Sequence, residues 1–172
     1  MPELTCVITE FQIQTRLEEI ADEISRDYQG LDLVLVGVLK GAFIFMADLV
    51  RKITTPFTID FVSVSSYGAS TTSTGNIRLL LPITENVTGK HILLIEDIVD
   101  TGQTLKYLTN QILSIGAASV NICALIDKKE RRTCDIPIRY ACHHIHAGFL
   151  VGYGLDYAEN YRGLSAIYHL QL

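Results

Sequence analysis

Apolar positions along the chain follow two rhythms. Over residues 11–28, FQIQTRLEEIADEISRDY, Ile13, Leu17, Ile20 and Ile24 recur every three or four residues with charges between them. That spacing predicts an amphipathic helix, and Gly30 supplies a stop. A second helix is predicted over 41–53, where Phe45, Leu49 and Lys52 keep helical spacing. A third is predicted from 102 to 115 through Leu105, Leu108, Ile112 and Ile115, closed by Gly116. Between them lie short unbroken apolar runs: LDLVLVGVL (31–39), KHILLIED (90–97) and SVNICALID (119–127). Runs without alternation suit strands buried on both faces. TIDFVSVSSY (58–67) is rich in β-branched residues and reads as a strand. NIRLLLPI (76–83) reads as another, with Pro82 marking an end or edge. The stretch between them, GASTTSTG (68–75), is polar, bounded by glycine and expected to be a mobile loop.

Buried strands alternating with helices predict an α/β fold with a mainly parallel central sheet flanked by helices. In such sheets ligands bind beyond the carboxyl ends of the strands. A length of 172 residues suits one domain, spanning 1–172, with room for a substantial core. The apolar fraction of 48% and charged fraction of 19% are those of a globular chain. A net charge of −5 supplies no basic field for nucleic acid, so none is expected as a partner. Lys40 and Asp48 interrupt the longest apolar runs, and no membrane span is expected. The opening MPELTCVITEF lacks the basic-then-apolar pattern of a secretory signal. Cys6, Cys123, Cys134 and Cys142 form no CxxC pair and suit free thiols in a reducing cytoplasm.

The stretch LLIEDIVDTGQT (93–104) carries the chemistry. Glu96 and Asp97 end an apolar strand, Asp100 follows, and Thr101, Gly102, Gln103 and Thr104 open the predicted helix. Unpaired N–H groups and the helix dipole make that terminus a place for an anion, Gly102 allows close approach, and the threonines add hydroxyl donors. The pattern is neither GxxxxGK[ST] nor GxGxxG. The paired acids suit a sugar diol or a divalent cation held by phosphate oxygens. Together they point to a phosphorylated ribose. The plainer alternative, an acidic loop with an ordinary helix cap, fits a lone D-T-G-x-T but not the whole run.

LLIEDIVDTGQTL resembles the phosphoribosyl pyrophosphate (PRPP) signature of type I phosphoribosyltransferases. LVLVGVLKGAFIFMADL, SSYGASTTSTG, ALIDKKERR and FLVGYGLDYAENYR resemble, in matching order, segments of the hypoxanthine-guanine phosphoribosyltransferases. The resemblance covers residues 10–162. It implies the type I phosphoribosyltransferase fold, with a small hood formed by roughly residues 1–12 and 150–172. It also implies a magnesium-dependent glycosyltransferase of purine salvage. Such an enzyme moves the 5-phosphoribosyl group from PRPP to N9 of hypoxanthine or guanine, giving IMP or GMP and pyrophosphate.

The resemblance assigns roles residue by residue. Lys40 and Gly41, after an unusual cis peptide, would hold pyrophosphate with Arg162. Residues 101–104 would hold the 5-phosphate. Glu96 and Asp97 would engage the ribose hydroxyls, directly or through magnesium. Asp156 would reach a magnesium ion on the pyrophosphate side and border the base. Asp100 would hydrogen-bond purine N7 as catalytic acid or base. Lys128 would donate to the 6-oxo group and so exclude adenine, Phe149 would stack on the base, and Leu150 would offer backbone groups to its edge. Ser66 and Tyr67 would close as a lid. The family further implies a homo-oligomer, a dimer or tetramer.

Four alternatives remain open. Lys129 adjoins Lys128, so the base-binding lysine could be either. A PRPP-sensing regulator of the same fold, or a transferase that prefers xanthine, would share much of the pattern. The cluster CHHIH (142–146) suggests zinc, but it lacks separated ligand pairs, and neighbouring strand positions face opposite ways.

Overall fold

The structure, a computed structural model, describes residues 3–67 and 76–171. The predicted loop 68–75 lies outside the described residues. The chain runs β1 (Glu3–Ile8), α1 (Glu10–Asp27), β2 (Leu33–Leu39), α2 (Phe43–Val50), β3 (Thr58–Tyr67) and β4 (Asn76–Leu81). It continues through β5 (His91–Val99), α3 (Gln103–Ser114), β6 (Ser119–Lys128), β7 (Tyr140–Ile145), β8 (Leu150–Val151) and β9 (Ile167–Gln171).

Six strands form the central sheet in the order β4-β3-β2-β5-β6-β7, and only β4 runs antiparallel to its neighbour. The unbroken apolar runs are explained by burial on both faces. Leu33 and Leu35 of β2, with Leu93 and Ile95 of β5, pack against Leu17, Ile24 and Phe45 of α1 and α2. The alternate residues Val34, Val36, Ile92 and Leu94 pack against Leu105, Leu108 and Ile112 of α3. From the adjacent strands β2 and β5 the chain departs in opposite directions, to β3 on one side and β6 on the other. That is a topological switch point, and the loops after β2 and β5 flank its crevice. A second, antiparallel sheet, β1-β9-β8, joins the two ends of the chain.

Several boundaries differ from those the pattern predicts. The first helix stops at Asp27, with Tyr28 as its C-cap and Gly30 beyond it at φ 74°. Its start is fixed by a capping box. The Gln12 amide N–H donates to the Thr9 hydroxyl, while the Thr9 N–H donates to Gln12 Oε1. The second helix is shorter than 41–53, because Lys40–Ala42 are spent on a turn in which the Phe43 N–H donates to the Lys40 carbonyl. At its far end a turn at 51–52 closes it, with the Lys52 and Ile53 N–H groups donating to the Leu49 carbonyl. The strand predicted to end at Asp97 continues to Val99, since Ile98 and Val99 pair with Ile126 and Asp127. The loop ahead of α3 is correspondingly short, and Glu96 and Asp97 sit within the strand.

Candidate active site

Strand ends bring most of the predicted residues to one rim of the sheet. A cavity of about 430 Å³ is lined by Asp97, Ile98 and Asp100 from the β5 side, Lys128, Glu130 and Arg131 from the end of β6, and Gly148, Phe149, Leu150, Leu155 and Asp156. Beside it a smaller one, about 130 Å³, is lined by Glu96, Asp100, Thr101, Gly102, Thr104 and Leu105, among others. Asp100 borders both. Its Oδ1 is buried and has no hydrogen-bond partner among the described residues. A carboxylate oxygen in that state is costly unless something else binds there.

The smaller cavity is built from the start of α3. Gly102 is its N-cap in the left-handed conformation, φ 82°, and contributes no capping side chain. The first-turn N–H groups therefore face the cavity largely unpaired, except that Gln103 N–H donates to the Thr101 hydroxyl at 3.3 Å. The Gln103 side chain turns away and donates to Thr133.

Glu96 is buried and Asp97 is half-buried. Burial raises the Glu96 carboxyl well above the usual range, and neighbouring Asp97 adds to it. Burial likewise raises Asp97, partly opposed by hydrogen bonds and by Arg162. Gly41 explains how Asp97 meets the loop after β2. A methyl group there would lie 1.7 Å from Asp97 Oδ2. Gly154, at φ 101°, comes as close to Gly41 from the other side, where its own methyl would lie 2.1 Å from the Gly41 carbonyl oxygen. Two glycines thus press the segment after β8, the turn after β2 and the acidic pair of β5 together.

The peptide between Leu39 and Lys40 is cis. Lys40 is exposed and pairs with Glu159 at 3.1 Å. Arg162 donates to the Gly154 carbonyl at 2.7 Å and pairs with Asp156 at 2.9 Å and Glu159 at 3.4 Å. Lys40, Gly41 and Arg162 line neither cavity, and Glu159 links Lys40 to Arg162. Lys128 is 7% exposed, borders the larger cavity and pairs with Glu130 at 3.1 Å. Lys129 faces a separate depression with Asp127, Arg132 and His144. Phe149 is 47% exposed, so it is no core residue, and it meets Tyr157 edge to face at 5.6 Å. Leu150 is buried at the cavity wall. Ser66 and Tyr67 are the last residues of β3.

Sequence reasoning missed Arg132. Its guanidinium donates to the carbonyls of Asp100 at 2.9 Å, Val99 at 3.2 Å and Lys128 at 3.2 Å, and pairs with Asp127. It ties the end of β5 to the end of β6. Thr133 reinforces the tie by donating its N–H to the Thr101 carbonyl. Glu130 and Glu159 were missed as well. For Arg132 and Glu130 the charge run KKERR was the available signal, but a run of charges does not say which of its members turn inward.

Among the described residues no group of three or more His, Cys, Asp or Glu could hold a metal by itself. In CHHIH, Cys142 is buried and His144 contacts Asp127 at 3.2 Å. Asp156 in one place, and Glu96 with Asp97 in another, offer one or two carboxylates each to a cation whose shell other oxygens would complete. That donor set fits magnesium, which keeps water and substrate oxygens.

The phosphoribosyl transferase domain family matches residues 10–158. A hypoxanthine-guanine phosphoribosyltransferase from Dictyostelium discoideum is 44% identical over 162 residues, covering 92% of this chain and 90% of that protein. The crystal structure of a hypoxanthine phosphoribosyltransferase from Staphylococcus aureus superposes with a TM-score of 0.94 at 42% identity, covering 97% of this chain and 91% of that one. A hypoxanthine phosphoribosyl transferase from Trypanosoma cruzi, solved to address the role of its C-terminal region in oligomeric state and activity, gives a TM-score of 0.91 at 40% identity, covering 97% and 91%.

Proposed function

This chain belongs to the phosphoribosyl transferase family, and from that premise we propose that it is the purine-salvage enzyme that transfers 5-phosphoribose from PRPP to N9 of hypoxanthine or guanine. The observation that carries the reading is Asp100, a carboxylate with an unpartnered buried oxygen between a cavity with a helix N-terminus and one with a buried lysine.

In the proposed reaction the 5-phosphate rests on the α3 terminus at Thr101–Thr104, where N–H groups and the dipole favour an anion. Glu96 and Asp97 accept from the ribose hydroxyls. Lys40 and Arg162 exchange their contacts with Glu159 and Asp156 for pyrophosphate oxygens, and Gly41 lets the turn approach closely. Magnesium, when bound at Asp156 or beside Glu96 and Asp97, neutralises pyrophosphate charge. Phe149 stacks on the purine, the backbone at Leu150 meets its edge, and Lys128 donates to the 6-oxo group. Adenine offers a donor there instead, which the ammonium disfavours. The bond between C1 of the ribose and the pyrophosphate oxygen breaks as the bond from N9 to C1 forms, and Asp100 takes the proton at N7. The protein contributes alignment and a fixed field around positive charge developing at C1. Ser66 and Tyr67, at the end of β3, serve as the lid that excludes water from C1.

We further propose a homo-oligomer, a dimer or tetramer, working in the cytoplasm. The four cysteines are free, and no helix among the described residues is long and apolar enough to cross a membrane. The test is a product assay with PRPP and each of hypoxanthine, guanine, xanthine and adenine, with and without magnesium. Magnesium-dependent IMP and GMP formation with no AMP is expected. Transfer to adenine, or to no purine, overturns the proposal.

A further inference from the structure

The larger cavity holds a charged group for which the reaction above has no role. Glu130 lies in its wall, two residues beyond Lys128, with Oε2 at 3.1 Å from the Lys128 ammonium. The lysine is nearly buried, at 9% side-chain exposure, whereas Glu130 is 44% exposed. The Lys128 ammonium holds the Glu130 carboxyl below the usual range, with the Gly148 amide adding to the effect, so the carboxylate is ionised at neutral pH.

The charges facing the cavity come from every element around it. Asp97 and Asp100 belong to β5 and its loop, Lys128 to β6, Glu130 and Arg131 to the following loop, and Asp156 to the segment after β8. Four carboxylates thus face two cations, and Glu130 is the carboxylate paired with the cation that would meet the base. An ammonium has three donors. With one committed to Glu130, another remains for a neutral oxygen, but the pair as a whole carries no net positive charge to attract an anion.

Resting on the proposed transferase reading, we infer that Glu130 is a specificity-determining residue: it orients Lys128 and makes the base site accept neutral 6-oxopurines while rejecting anionic ones. The chemistry distinguishes the substrates. A second oxo group at C2, as in xanthine, makes the ring a stronger acid and leaves much of it anionic near neutral pH. Hypoxanthine and guanine stay neutral. A carboxylate beside the 6-oxo contact repels the first and is indifferent to the others.

The experiment compares kcat/KM for xanthine, hypoxanthine and guanine in the wild type, Glu130→Gln, Glu130→Asp and Glu130→Ala. Glu130→Gln keeps an acceptor for Lys128 but removes the charge. The xanthine-to-hypoxanthine ratio should rise roughly tenfold, the scale of one partly screened charge at short range. The guanine-to-hypoxanthine ratio should not follow it. Glu130→Asp retains the charge and should leave the xanthine ratio within about twofold of wild type, on the same electrostatic argument. Glu130→Ala removes the acceptor as well and should weaken hypoxanthine use, which Glu130→Gln restores. A xanthine ratio unmoved in Glu130→Gln, or all three bases changing in parallel across the variants, overturns the assignment. A wild type that transfers to none of the three refutes the transferase reading and this inference with it, and so is told apart from failure of the inference alone.

Discussion

Replacing Arg132 with alanine should be among the most damaging single changes that leaves every proposed substrate contact in place. Asp127 is 6% exposed at its side chain, and its partners are Arg132 and, at 3.2 Å, His144. Removing the guanidinium leaves a buried carboxylate facing a single imidazole. Breaking a buried pair in this way costs about 3–5 kcal/mol. The substitution also releases the carbonyls of Val99, Asp100 and Lys128, to which Arg132 donates. At about 2–4 °C per kcal/mol for a chain of this size, the melting midpoint should fall by roughly 6–20 °C. Below that midpoint kcat/KM should fall for PRPP and base alike, because the loop with Asp100 and the strand end with Lys128 are held by the same side chain. The assay is thermal melting of wild type, Arg132→Ala, Asp127→Asn and the double variant. Since the damage comes from an unpaired charge, the double variant should be more stable than the sum of the single losses by about 0.5–3 kcal/mol. A midpoint for Arg132→Ala within about 2 °C of wild type, on the same conversion, would refute the reasoning. Strictly additive losses would refute it as well.

Three further outcomes are expected. Lys128→Ala should weaken base binding by about ten- to hundredfold, the size of a lost charged hydrogen bond, with PRPP binding little changed; measured base affinities in which Lys129→Ala has that effect instead would shift the site by one residue. Gly154→Ala should cost roughly 2–5 kcal/mol, combining the left-handed backbone at φ 101° with overlap on the Gly41 carbonyl, and should lower both melting midpoint and PRPP use. For Glu96 the sign follows from its raised carboxyl: the fold favours the protonated form, so this contribution is full below the unfolded-state pKa and is lost as pH rises. Glu96→Gln should therefore raise the melting midpoint more at pH 8 than at pH 4 while weakening magnesium-dependent PRPP binding, and melts across that range with a PRPP titration check both.

The core was legible because burial on both faces leaves strands no polar positions. Leu33, Leu35, Leu93 and Ile95 enter one apolar cluster, while Val34, Val36, Ile92 and Leu94 enter the other, and nothing in the periodicity contradicts that. The end of β5 was not legible. Glu96 and Asp97 read as an exit because charge normally marks one, yet pairing with β6 carries the strand to Val99. The capping box at Thr9 and Gln12 was present as a T-x-x-Q signature and would have placed the start of α1. Strands β1 and β9 are short, and their pairing joins the two ends of the chain, which no local window records. At the site, the acids and hydroxyls of 96–104 announce themselves by spacing. Arg132, Glu130 and Glu159 act through partners distant in sequence or chosen from a dense charge run, and only the folded chain shows which.

The most direct test of the central claim is single-turnover transfer from PRPP to hypoxanthine with magnesium, run on the wild type and on Asp100→Asn, with magnesium–PRPP binding measured in parallel. The variant keeps the α3 terminus and the Glu96–Asp97 pair, so PRPP should still bind. Loss of the proposed N7 proton acceptor should slow IMP formation by about 10²–10³-fold. A wild type that forms no IMP, or an Asp100→Asn protein that forms it at the wild-type rate, would contradict the account.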